Sequence, residues 1–99
     1  MRLPPDYQSV LTRLAGQVFG PQAEVVLFGS RLDDAAKGGD IDVLIQLDAP
    51  VADKGRLSAR YNALLQQKLG MQKFDVLVID PLTVLEPIHR HALATGVRL

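Results

Sequence analysis

Gly29-Ser30, Asp40-Ile41-Asp42 and Asp75 are the residues of this chain whose types and spacing suit chemistry on a polyanion. Asp40 and Asp42 stand two apart where an alternating apolar run, "IDVLIQL", begins. In a strand that spacing puts both side chains on one face, about 7 Å apart along the backbone. Carboxylates that close repel each other and shift each other's protonation unless a cation compensates. Their hard oxygens suit Mg²⁺ or Mn²⁺. Asp75 opens another run, "KFDVLVID" (73 to 80), and is expected at the same end of a sheet. Three carboxylates at strand ends meet the needs of a site that grips two metal ions about 4 Å apart.

Spacing alone carries little weight. With 11 acids in 99 positions, one pair of acids two apart is expected by chance, and one is present. Context adds the weight. Gly29 lets the backbone approach a ligand, while the Ser30 hydroxyl and the N–H groups after it can donate to anionic oxygens. A helical turn over residues 31 to 35 would add a favourable field for phosphate. Arg31 is a candidate phosphate partner, with a plain surface arginine as the competing reading. Asp33 and Asp34 read as solvated or capping residues. Lys37, in a glycine-flanked loop, is a weaker candidate still.

Other polar residues have simpler readings. His89 and His91, two apart on a helical pattern, fall on different faces, whereas a helical metal pair needs i, i+4 spacing. Asp80 before Pro81 reads as a turn residue and is out of phase with Asp75. Tyr7 and Tyr61 lie on apolar helical faces and are expected in the core.

The elements that must position these residues follow from periodicity. Leu11, Leu14, Ala15 and Val18 recur at helical spacing, stopped by Gly20-Pro21, and predict a helix over about residues 6 to 19. "AEVVLFG" (23 to 29) and "IDVLIQL" (41 to 47) read as strands. Leu57, Tyr61, Leu64, Leu65 and Leu69 mark a second helix that ends at Gly70. "KFDVLVID" is a third strand. Pro87 suits the first turn of a last helix running to about Thr95, and "VRL" is expected to add a short final strand. The long helix between strands two and three permits a parallel crossover. The expected fold is α/β (α+β): a small mixed sheet of three to four strands, with helices packed mostly on one face. The one long irregular segment, residues 29 to 40, carries much of the candidate chemistry.

Length and composition bound the rest. A chain of 99 residues is read as a single domain, residues 1–99. Eleven basic residues balance eleven acids, so binding a nucleic acid without a partner is not expected. There is no cysteine, which removes disulfide and thiolate chemistry and fits a cytoplasmic protein. The start, "MRLPPDYQSV", has no apolar core of a signal peptide, and no apolar run approaches a membrane span.

The stretch "LFGSRLDDAAKGGDIDVLI" resembles the signature of the nucleotidyltransferase superfamily related to DNA polymerase β. Within it the chain is similar to the minimal nucleotidyltransferases, small single domains often paired with HEPN-type partner proteins in toxin–antitoxin modules. The likeness runs over nearly the whole chain, through "KFDVLVID" to the closing "PIHRHALATGVRL". It implies the polymerase β palm-like fold and a transfer of AMP from ATP to an acceptor hydroxyl, expected on a HEPN-type toxin, with this chain as antitoxin. It further implies that Gly29 and Ser30, with Arg31, bind the triphosphate. Asp40 and Asp42 would hold Mg²⁺, two ions in all. Asp75 would be the third metal ligand or help to activate the acceptor. Two departures fall in one loop. Residues 31 to 39 make it one residue shorter than usual, and Leu32-Asp33-Asp34 stands where many members have small-Arg-Gly. These departures slightly favour the alternative reading of a catalytically weak or inactive module that neutralises its partner by contact, which the three intact aspartates oppose. Apolar surface for a dimer or heteromer is also expected.

Overall fold

The computed structural model describes residues 5–29, 40–70 and 72–99. The elements run α1 (Pro5–Phe19), β1 (Glu24–Phe28), β2 (Ile41–Gln46), α2 (Lys54–Leu69), β3 (Phe74–Ile79), α3 (Pro87–Thr95) and β4 (Val97–Arg98). Every boundary lies close to the one that periodicity predicts. The four strands form one mixed sheet in the order β3-β2-β1-β4. β1 pairs antiparallel with β2 and with β4, whereas β2 and β3 are parallel, joined by the α2 crossover.

Alternation splits the strand residues between two faces. On one face Val25, Leu27, Ile41, Val43, Ile45 and Phe74 pack against Leu11, Leu14 and Ala15 of α1 and Tyr61 and Leu65 of α2. Burial of this apolar surface is the main force holding the domain together. Tyr61 is fully buried yet satisfied: its hydroxyl donates to the Leu11 carbonyl at 2.7 Å, and its ring meets Phe19 edge-on at 5.5 Å. Burial pushes the Tyr61 phenol well above its ordinary range, so it stays a neutral donor. On the opposite face the smaller cluster of Val26, Phe28, Leu44 and Ile79 packs with Ala92 of α3. Two helices therefore cover one face, and the short α3 lies on the other.

Local chemistry fixes the ends. Asp53 caps α2 by accepting from the Arg56 N–H, and Gly70 ends that helix at φ 79°. Pro87 opens α3 behind Glu86, whose backbone N–H donates to His89 Nδ1 at 3.0 Å. This capping contact is a use of His89 that helical spacing does not reveal. Asp80 does form a turn, with Leu82 N–H and the Thr83 hydroxyl donating to Oδ1. It also ties the end of β3 to the start of α2: Val51 N–H and Lys54 Nζ reach Oδ2 at 3.0 and 2.9 Å. These hydrogen bonds hold its buried carboxyl well below the usual carboxylate range, the Lys54 contact most of all. No helix among the described residues is long and apolar enough to cross a membrane.

Candidate functional site

The pairing of β2 with β3 sets Asp42 directly beside Asp75. Neighbouring strands lie about 4.8 Å apart, so the two side chains leave the same face as close neighbours. That face is the α3 side, because Leu44 and Ile79 share it by alternation. Asp40, two residues before Asp42, extends the row beyond the strand. The three aspartates that spacing singles out thus come to one face at the starts of β2 and β3. A register slip of one residue would have sent Asp75 to the opposite side.

The row is electrostatically tense. Asp42 is half-buried, and its carboxyl is pushed up from its ordinary value. Burial contributes most, followed by the charges of Asp75 and Asp40 and by a hydrogen bond to Asp75 that needs a proton. A cation placed against the row would relieve these penalties together.

Gly29 shapes the other flank. Phe28 is the antiparallel partner of Asp42, and Gly29 follows it at φ 82°. A Cβ at residue 29 would overlap the Asp42 carboxylate oxygen Oδ2. The positive φ favours glycine here, and a side chain at this position would displace the Asp42 carboxylate. The carboxylate lies against bare backbone at the end of β1, a space that any larger residue would fill. Ser30 and Arg31, expected at the triphosphate, lie outside the described residues, as do Asp33, Asp34 and Lys37.

Lys73, which the motif spacing does not single out, joins this group. Ile41 N–H donates to the Lys73 carbonyl at 3.0 Å, so residue 73 sits beside residue 40 one step before the paired strands begin. Its ammonium reaches Asp40 Oδ2 at 3.4 Å. The signal was present in the sequence: Lys73 precedes Asp75 by two, just as Asp40 precedes Asp42. The backbone around it is anchored from α2, where Asn62 Nδ2 donates to the Phe74 carbonyl and Gln66 Nε2 to the Gln72 carbonyl.

Among the described residues no three His, Cys, Asp or Glu side chains are gathered into a ready metal cage. One oxygen of Asp40 is instead engaged by Lys73. The donor set nevertheless fits a hard divalent cation: carboxylate oxygens on one face, mutual repulsion at Asp42, and a flank kept open by Gly29. His89 and His91 lie on α3, and His89 is occupied by the cap. A groove of about 260 Å³ runs by the free edge of β3, lined by Ser58, Val76 and Val78. Chemically, the row can bind cations and, through them, a polyphosphate.

Comparison with protein families agrees with this chemistry. A family model described as a nucleotidyltransferase domain matches residues 13–94, spanning α1 to α3 and all three aspartates. No curated protein matches the chain.

Proposed function

Because this chain belongs to the nucleotidyltransferase domain family, we propose that it transfers a nucleoside monophosphate, AMP from ATP, to an acceptor hydroxyl on a HEPN-type partner protein and thereby acts as an antitoxin. The observation that carries the transferase reading is the side-by-side placement of Asp42 and Asp75 with Asp40 on the same face. In this reading Asp40, Asp42 and Asp75 hold two Mg²⁺ ions. Bound there, the metal supplies charge neutralisation for the triphosphate and lowers the pKa of the acceptor hydroxyl. A cation against the row would offset the burial and like-charge repulsion that raise the Asp42 carboxyl. Gly29 leaves room for the phosphates beside the Asp42 carboxylate, and Ser30 and Arg31 are the donors to them. The acceptor oxygen attacks the α-phosphorus, its proton leaves to solvent, and pyrophosphate departs. The chain's part is placement and charge compensation.

The choice of AMP and of the partner rests on the resemblance of the Gly-Ser to Asp-x-Asp stretch to minimal nucleotidyltransferases. Apolar surface is available for a partner: Leu82, Val84 and Ile88 are exposed around the start of α3. Mass spectrometry of the HEPN-type protein after incubation with this chain, ATP and Mg²⁺ tests the reading. A gain of one AMP, absent with Asp42→Asn, supports it; an unmodified partner under conditions where the two proteins bind contradicts it.

A second reading is favoured by the short segment 31 to 39, in which Leu32-Asp33-Asp34 follows Arg31. In it the domain neutralises its partner by contact alone. Coexpression separates the two. Protection that survives the Asp40→Asn/Asp42→Asn double variant indicates contact; loss of protection with complex formation intact indicates chemistry.

A further inference from the structure

Among the described residues, Lys73 is a charged group that faces the carboxylate row without belonging to it. Lys73 and Asp40 lie side by side just outside the β2–β3 pairing, on the face that carries Asp42 and Asp75. The ammonium of Lys73 pairs with the Asp40 end of the row. Their separation is 3.4 Å, and their side chains are 72% and 42% exposed. A pair that open to water is weak and exchanges readily. The Lys73 backbone is fixed by the Ile41 N–H and by the neighbouring contacts from Asn62 and Gln66, so the side chain can move while its root stays in place.

We propose that Lys73 is an exchangeable counter-ion of the site. It pairs with Asp40 in the metal-free protein, yields that carboxylate to an incoming divalent cation, and turns its freed ammonium to the nucleotide's phosphate oxygens. This inference rests on the transferase reading and adds to it a positioning residue. It has a consequence in two opposite directions. A lysine that only competes with metal lowers metal affinity; one that then grips phosphate raises the affinity for metal and triphosphate together.

The test compares the full chain with Lys73→Met, Lys73→Arg and Asp42→Asn. Free Mn²⁺ is titrated by electron paramagnetic resonance, first alone and then with the non-transferable analogue α,β-methylene-ATP. Lys73→Met is expected to bind Mn²⁺ about threefold more tightly, the scale of one exposed ion pair. The same variant is expected to bind the Mn²⁺–analogue complex about fivefold more weakly, since a phosphate contact to an ammonium is lost. Lys73→Arg restores both values toward those of the unaltered protein. A merely structural lysine would not shift the two affinities in opposite senses. If Mn²⁺ binding depends on Asp42 but Lys73→Met changes neither affinity, or moves both the same way, the counter-ion role is overturned and the transferase reading stands. If the unaltered protein shows no Asp42-dependent Mn²⁺ binding, the reading and this inference both fall.

Discussion

Asp42 and Asp75 are partners across the parallel β2–β3 pair, each carried on the sheet face that α3 only partly covers. Two acids occupy the place where a sheet usually sets a stabilising cross-strand pair. Like charges placed so are destabilising by themselves. The protein therefore carries a local cost that a bound cation would lift.

Replacement of either partner tests this directly. Asp42→Asn and Asp75→Asn are each expected to lower metal-dependent label transfer from α-labelled ATP by about 10²-fold or more, the scale on which one preorganised charge-stabilising group acts. Both variants should keep native circular dichroism, because neither side chain belongs to the apolar core.

The pH response of two aspartates should differ in sign. Asp42 has a raised carboxyl in the folded chain. Its native form thus holds a proton where the unfolded chain does not, and stability falls as pH rises from about 4 through the native value. In chelator at pH 7, Asp42→Asn should shift the urea midpoint upward. Asp80 is depressed. It contributes stability above about pH 4, which is lost as pH falls through the native value. Asp80→Asn should lower the midpoint at pH 7, with the difference shrinking under acid. Urea melts at pH 7 and pH 3 check both signs.

Two glycines should respond oppositely to alanine. At Gly29 the positive φ disfavours a side chain, and a Cβ there would push the Asp42 carboxylate aside. Gly29→Ala is expected to cost about 1–3 kcal/mol in urea unfolding and to depress transfer beyond that loss of stability. Gly16, within α1, has open space at its Cβ position. Gly16→Ala should stabilise by about 0.5–1 kcal/mol and leave transfer unchanged.

The core offers a control far from the chemistry. Tyr61→Phe removes only the hydroxyl that donates to the Leu11 carbonyl at 2.7 Å and joins α2 to α1. It should cost about 1 kcal/mol in urea unfolding. The affinity for Mn²⁺ should not change.

The elements and the carboxylate row were legible because each rests on a short-range period. Leu11, Leu14 and Ala15 mark the buried side of α1, and alternation from Asp40 to Leu47 gives β2 its two faces. Alternation also places Asp75 on one of two sides of β3. Which side meets Asp42 depends on strand pairing, a tertiary choice made by burying Phe74, Val76 and Val78 against α1 and α2. Lys73 had the right phase but no motif to draw notice. The reach of Asp80 to Val51 and Lys54 was not legible, because those contacts span 29 and 26 residues and exist only once α2 has crossed back over the sheet.

The proposed transfer requires the row of Asp40, Asp42 and Asp75 to hold a divalent cation. Anomalous diffraction from crystals grown with Mn²⁺ and α,β-methylene-ATP measures it most directly. A manganese peak about 2.1 Å from oxygens of Asp42 and at least one of Asp40 and Asp75 is the predicted result. Well-occupied nucleotide with no metal against these carboxylates, or manganese bound only elsewhere on the protein, would contradict it.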